Sequence, residues 1–152
     1  QSAIGRIQLT HMNEWTASRT ANAHAILDAC SRWENKGYLY VPRLEDTPNF
    51  AHAKHAYYKL YVYVQPENLP AGWDREGIIA AINEQGVPCF SGSASEVYLE
   101  KAFDDTGPTA KQMGDTSLMF LVHPTLTDDE IAQTVAALDI VLARIEDSAT
   151  AK

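Results

Sequence analysis

Ala56-Tyr57-Tyr58-Lys59-Leu60-Tyr61-Val62-Tyr63-Val64 is the stretch that decides the fold. It is dense in aromatic and β-branched residues, which suit a pleated, half-buried surface. Alternation puts Tyr58, Leu60, Val62 and Val64 on one face and Tyr57, Lys59, Tyr61 and Tyr63 on the other. The first face is the more apolar and is expected to point to a core. The four tyrosines are open to two readings, stacking on a base or sugar, and packing within a sheet.

Downstream, Pro66 to Gly72 turns the chain. Asp74 is expected to cap a helix running to about Glu84, with Ile78, Ile79 and Ile82 inward and Gly86 ending it. Val87 to Ser91 reads as a second strand. The small-residue loop Ser91-Gly92-Ser93-Ala94-Ser95 then leads into one or two helical turns over 96–103. Residues 104–116 read mostly as loop, with a turn of helix near 109–113. Ser117 to Val122 is a third strand, stopped by His123-Pro124. Thr127-Asp128-Asp129-Glu130 is a capping box. The helix behind it has Ile131, Val135, Leu138, Val141, Leu142 and Ile145 at core spacing, and fraying is expected from 147.

Upstream, residues 38–55 are irregular, broken by Pro42 and Pro48. Residues 2–9 read as a short helix and Asn13 to Glu34 as a longer one. The stripe of the longer one is Trp15, Ala23, Ile26, Leu27, Cys30 and Trp33, leaving Arg19, Asn22 and Asp28 for solvent or another surface. Gly37 is a stop. The first helix starts without a cap, which predicts a preceding segment. Residues 1–36 are thus read as helices linking to that preceding segment, and 37–152 as a small α/β domain, the whole forming one unit. The fold class is α+β, with about three strands packed with helices and the sheet covered mainly on one face.

The 152 residues fit one domain with its own core. Net charge is −8, which argues against nucleic acid or an anionic membrane as partner. No apolar run approaches the roughly 20 residues that span a bilayer. Cys30 and Cys89, far apart, read as reduced thiols of a cytoplasmic protein.

Catalytic signatures are weak. His52 and His55 are spaced i, i+3 but lack a third ligand for a metal. Gly92-Ser93-Ala94-Ser95-Glu96 lacks the second glycine of a nucleophile elbow. It is better suited to letting a ligand approach backbone N–H groups, or to being a plain solvent loop. None of the six lysines sits in a context that suggests a Schiff base. The residues alone therefore describe an α+β domain with one candidate ligand loop and no catalytic centre. A free-standing small-molecule-binding regulatory domain and a pure interaction module both fit that description.

Ordered segments resemble the DegT/DnrJ/StrS family of sugar aminotransferases. Gln1 to Leu9 looks like its Q-x-A-I-G-x-x-Q-L helix, and Trp15, Arg19 and Asn22-Ala23 fit its W-x-x-x-R-x-x-N-A run. His55 to Val62 looks like its strand opening H-A-x-x. Gly86 to Ser93 and Ser95 to Tyr98 resemble its substrate-facing segment, and Ser117 through Thr127 its closing strand and helix cap. The resemblance implies the C-terminal small domain of a type I pyridoxal-phosphate enzyme. Its large domain, carrying the Schiff-base lysine and the cofactor, would precede Gln1. It implies a homodimer that moves an amino group from an amino acid, usually glutamate, to a nucleotide-linked keto sugar. It places His55, Tyr57, Ser91, Gly92, Ser93, Ser95, Glu96 and Tyr98 near the substrate, and no catalytic, cofactor or metal residue in this chain. Alone, the chain is expected to be inactive and to expose apolar surface on its first helices. Cys89 to Ala94 departs from the H-Y-x-P-x-H stretch of many members, which points to a subgroup.

Overall fold

The structure, a computed structural model, describes residues 2–44, 49, 53–103 and 106–150. Its order is α1 (Ser2–Asn35), β1 (Leu39–Tyr40), β2 (Leu60–Val64), α2 (Arg75–Glu84), β3 (Cys89–Phe90), α3 (Pro108–Thr116), β4 (Ser117–Phe120) and α4 (Asp128–Thr150). Two single turns of 3₁₀ helix, Pro66–Asn68 and Val97–Leu99, lie between them. The strands form an antiparallel sheet in the order β1-β2-β4-β3.

The register separates the two faces of this sheet. Leu39 lies opposite Val64, Val62 opposite Leu118, Leu60 opposite Phe120, and Phe120 opposite Cys89. All seven are buried, and they meet Ile26, Trp33, Ile78, Ile82, Leu138 and Leu142 from α1, α2 and α4. The other face carries Tyr40, Tyr63, Tyr61, Ser117, Met119 and Phe90 by the same pairing. The expected α+β sandwich with helices massed on one face is therefore present.

Several elements differ from the sequence reading, each for a local reason. The two expected N-terminal helices are one, because no proline or glycine interrupts residues 10–13 and Thr10 bonds back to the Ile7 carbonyl at 2.7 Å. The main strand begins at Leu60, so Tyr58 is 83% exposed rather than inward. A fourth strand, β1, forms where only irregular chain was expected. Residues 108–116 make two turns of α3 in place of a loop with one turn. The expected second strand shortens to Cys89–Phe90, and the third to Ser117–Phe120. Helix α4 continues through Thr150.

The predicted caps are in place. Asp74 accepts from the Gly77 N–H at 2.8 Å. Thr127 and Glu130 bond reciprocally through backbone and side chain. At the end of α1 the Gly37 N–H reaches the Glu34 carbonyl and the Tyr38 N–H the Trp33 carbonyl. That is a Schellman ending, with Gly37 at φ +81°. Trp33 is fully buried and donates its indole N–H to Asp139 at 2.6 Å, locking α1 to α4.

Candidate functional site

The outer sheet face and the loops at its rim gather the residues expected near a ligand. Arg19 and Asn22 explain the family-like run in α1. The Arg19 Nε–H donates to the Ala56 carbonyl at 3.0 Å, and the Asn22 amide to the His123 carbonyl at 3.1 Å. Two loops distant in sequence are thus pinned to one turn of α1.

Just past the first pin, Tyr57 adopts φ +45°, a left-handed conformation uncommon for a bulky residue. Its N–H donates to His55 Nδ1 at 2.9 Å, and the two rings lie 4.3 Å apart. His24 of α1 meets the Tyr57 ring edge-on. Because Nδ1 accepts, a neutral His55 carries its proton on Nε2 and offers that N–H outward. His55 and Tyr57 join Lys59, Tyr61 and Tyr63 along a groove of 190 Å³, whose lining also includes Leu27, Pro42 and Leu44. His52, the other histidine of the pair, lies outside the described residues. Among the described residues no group of three or more His, Cys, Asp or Glu side chains is placed to hold a metal ion.

The second half of the predicted site, Ser91 to Tyr98, is largely engaged with the domain itself. Ser117 donates its hydroxyl to the Ser91 carbonyl at 2.5 Å. Gly92, at φ +97°, crosses Tyr61 so closely that a Cβ would lie 2.5 Å from the ring. Ser95 packs against Gly114 of α3, where any side chain would overlap its hydroxyl. Tyr98 donates to Glu96 at 2.5 Å and lies over Gly107. The Glu96 carboxylate beside it holds the Tyr98 phenol above its ordinary range. Ser93 is exposed. Tyr61 therefore links the two halves, one of its surfaces in the groove and the other under Gly92. Sequence reasoning did not single out Lys59 for this site, and it left Tyr61 open between stacking on a ligand and packing within the sheet. The signal was the polar alternate face of β2.

Strand β3, which leads into this loop, is held on its free edge by a side chain. Asn83 accepts from the Cys89 N–H at 2.9 Å and donates to the Cys89 carbonyl at 3.0 Å, imitating a strand partner. Burial pushes the Cys89 thiol up to about 12, and Cys30 likewise, so neither is a nucleophile near neutral pH. A larger groove of 650 Å³ lies elsewhere, between α1 and α4. Its walls include Ala21, Ala25, Ala132 and Ala136, and it contains none of the predicted site residues.

The lysines do not fit a Schiff-base site, which needs a pocket that lowers the amine pKa. Lys36 is paired with Glu146 and Lys111 with Asp115, whose carboxylate shifts the Lys111 amine upward. Lys54 and Lys101 are exposed, Lys59 is half-buried on the sheet face, and Lys152 lies outside the described residues.

Comparison with known proteins identifies the scaffold. The chain resembles the crystallised aminotransferase from Psychrobacter cryohalolentis at 67% identity and a TM-score of 0.88, over 95% of this chain and 38% of that one. The aminotransferase TlmJ from Streptoalloteichus hindustanus aligns at 19% identity and TM-score 0.72, covering 93% of this chain and 35% of its own. A sugar aminotransferase from Micromonospora echinospora aligns at 16% and 0.68, covering 91% and 34%. These last two speak for the fold alone. No curated protein matches the chain. The chain spans little more than a third of the length of these structural relatives. The model of the DegT/DnrJ/EryC1/StrS aminotransferase family matches residues 1–139, and the chain belongs to that family.

Proposed function

We propose that this chain is the substrate-side domain of an enzyme that moves an amino group from an amino acid, with glutamate as donor, to a keto sugar carried on a nucleotide. The observation that carries the reading is the 67% identity to an aminotransferase across nearly the whole chain. The cofactor would be pyridoxal phosphate, which supplies the carbon that accepts and releases the amino group. Its lysine anchor would lie in a separate large domain, because none of the described lysines here fits that role. His55, Tyr57 and the 91–98 loop would line the sugar-nucleotide side of the site. The working form would be a cytoplasmic homodimer.

Within this scheme the residues of the chain bind, orient and exclude water. The exposed His55, through Nε2–H, and the half-buried Tyr57, Tyr61 and Tyr63, through their hydroxyls, are hydrogen-bond donors along the groove. Gly92 and Ser93 let a ligand approach the backbone of the loop. The chain by itself would be inactive.

The test is direct. The full-length protein with pyridoxal phosphate, glutamate and a panel of nucleotide-linked 3- and 4-keto sugars should yield an amino sugar and 2-oxoglutarate, read by mass spectrometry. Borohydride reduction followed by peptide mapping should place the cofactor on a lysine outside these 152 residues. Cofactor mass on any of the six lysines of this chain would sink the reading.

A further inference from the structure

We propose that Arg19 is a positioning residue: through the Ala56 carbonyl it fixes where His55 points, and with it how well the enzyme holds its keto-sugar substrate. The consequence for substrate rests on the amino-transfer reading above, while the positioning rests on the geometry of the corner formed by residues 55–57. Three observations support it.

The first is strain. Tyr57, at φ +45°, lies in the left-handed region, which a bulky residue keeps only where its surroundings hold it. Two side chains of α1 do so. Arg19 donates from Nε to the carbonyl of the preceding residue, Ala56, at 3.0 Å. His24 meets the Tyr57 ring edge-on, with the centroids 5.9 Å apart.

The second is aim. The Tyr57 N–H reaches His55 Nδ1 at 2.9 Å across the same corner. Ala56 joins donor to acceptor, so the direction of its backbone sets this bond. The bond in turn sets the tautomer and tilt of the imidazole and leaves Nε2–H as the outward group. His55 is otherwise exposed, and its ring neighbour is Tyr57 itself. The corner therefore aims it.

The third is how Arg19 is spent. The chain has 20 acidic and 12 basic residues, and Arg43 and Arg75 both have acidic partners. Arg19 forms no ion pair among the described residues. It bonds neutral oxygens instead, Ala56 O through Nε and Thr16 Oγ1, one turn back along α1, through Nη2 at 3.3 Å. The Thr16 bond orients the planar guanidinium, so that Nε–H leaves sideways toward the corner. A lysine, with donors only at the tip of its stem, has no such sideways group.

The full-length protein would be tested for amide exchange at Tyr57 and for the kinetics of amino transfer. Arg19→Met keeps an apolar stem and removes the donor. Exchange at Tyr57 should speed up about tenfold, and KM for the keto sugar should rise about tenfold, while kcat and the KM for glutamate stay within about twofold. In a His55→Ala background the same substitution should add nothing to KM, because Arg19 acts through that ring. Ser18→Ala, which loses a bond to the Glu14 carbonyl in the same stretch of α1, should leave both readouts unchanged. Thr16→Val is milder and should move both in the direction of Arg19→Met by a smaller factor, which decides the matter if Arg19→Met does not fold. Unchanged exchange at Tyr57 would overturn the proposal, and so would faster exchange with an unchanged KM. A KM penalty equal with and without His55 would also overturn it, since Arg19 would then act on the ligand directly. Faster exchange in a protein that aminates no keto sugar would refute the activity and leave the positioning standing. Amino transfer with exchange indifferent to Arg19 would do the reverse.

Discussion

Gly92 combines two demands that no other residue meets. Its φ of +97° is strained for any L side chain, and a Cβ would meet the Tyr61 ring at 2.5 Å. Gly92→Ala is expected to cost about 2 kcal/mol or more, read as a lowered urea midpoint. Trimming Tyr61 to alanine in the same background should recover the part due to overlap, giving a non-additive cycle. Trp33→Phe keeps most of the buried volume but leaves Asp139 without its indole donor. A loss of about 1–2 kcal/mol is expected in the same assay. The sequence marked both residues, Gly92 as part of a loop and Trp33 as core. It did not mark Tyr61 as the neighbour of Gly92, because that contact joins residues 31 positions apart.

Elements were legible where their signals are local. The Thr127–Glu130 box, the Asp74 cap and the Gly37 stop each depend on three or four neighbouring residues, and each formed as read. Leu39–Tyr40 was not legible, because two residues flanked by Pro42 become a strand only by pairing with Tyr63 and Val64. Helix α3 was hidden by Gly114, a poor helix former retained where Ser95 presses on the backbone. The candidate site divides the same way: its residue types were visible, while the turning of Ser95, Glu96 and Tyr98 toward the domain's own atoms depends on α3. Two predictions belong here. Asn83→Ala should cost about 1–2 kcal/mol and speed amide exchange at Cys89, since both edge bonds of β3 are lost. Thr127→Ala should cost about 1 kcal/mol at neutral pH. The Thr127 N–H and hydroxyl hold the Glu130 carboxyl below its ordinary range. This stabilisation is therefore complete above the unfolded carboxyl pKa and is lost as pH falls through the folded one. The gap between wild type and Thr127→Ala should narrow in acid. Glu34 follows the same sign, chiefly through its hydrogen bond from Arg43, so Glu34→Gln should also weaken its effect toward low pH.

At the scale of the molecule, apolar surface is unevenly spread. Ile4, Ile7, Leu9 and Met12 are each more than half exposed along the first three turns of α1, while Ala23, Ile26, Cys30 and Trp33 at its other end are fully buried. The expectation of uncovered apolar surface near the start of the chain agrees with this. The 152-residue chain is expected to self-associate through that end at raised concentration, and Ile4→Glu with Ile7→Glu to return it to monomer in sedimentation velocity. Unchanged association in the double variant would assign it to another face.

The continuity of α1 has a mechanical meaning. A helix of 34 residues is about 50 Å long, and only its second half is embedded in the core. Arg19, with its bond to the Ala56 carbonyl, sits near the point where the embedded half begins. The helix is therefore a cantilever with its fulcrum beside the segment that carries His55 and Tyr57. A load on the free tip would be delivered as torque at that segment. Whatever seats on Ile4 and Ile7 would set the inclination of the whole sheet, and with it the aim of the groove.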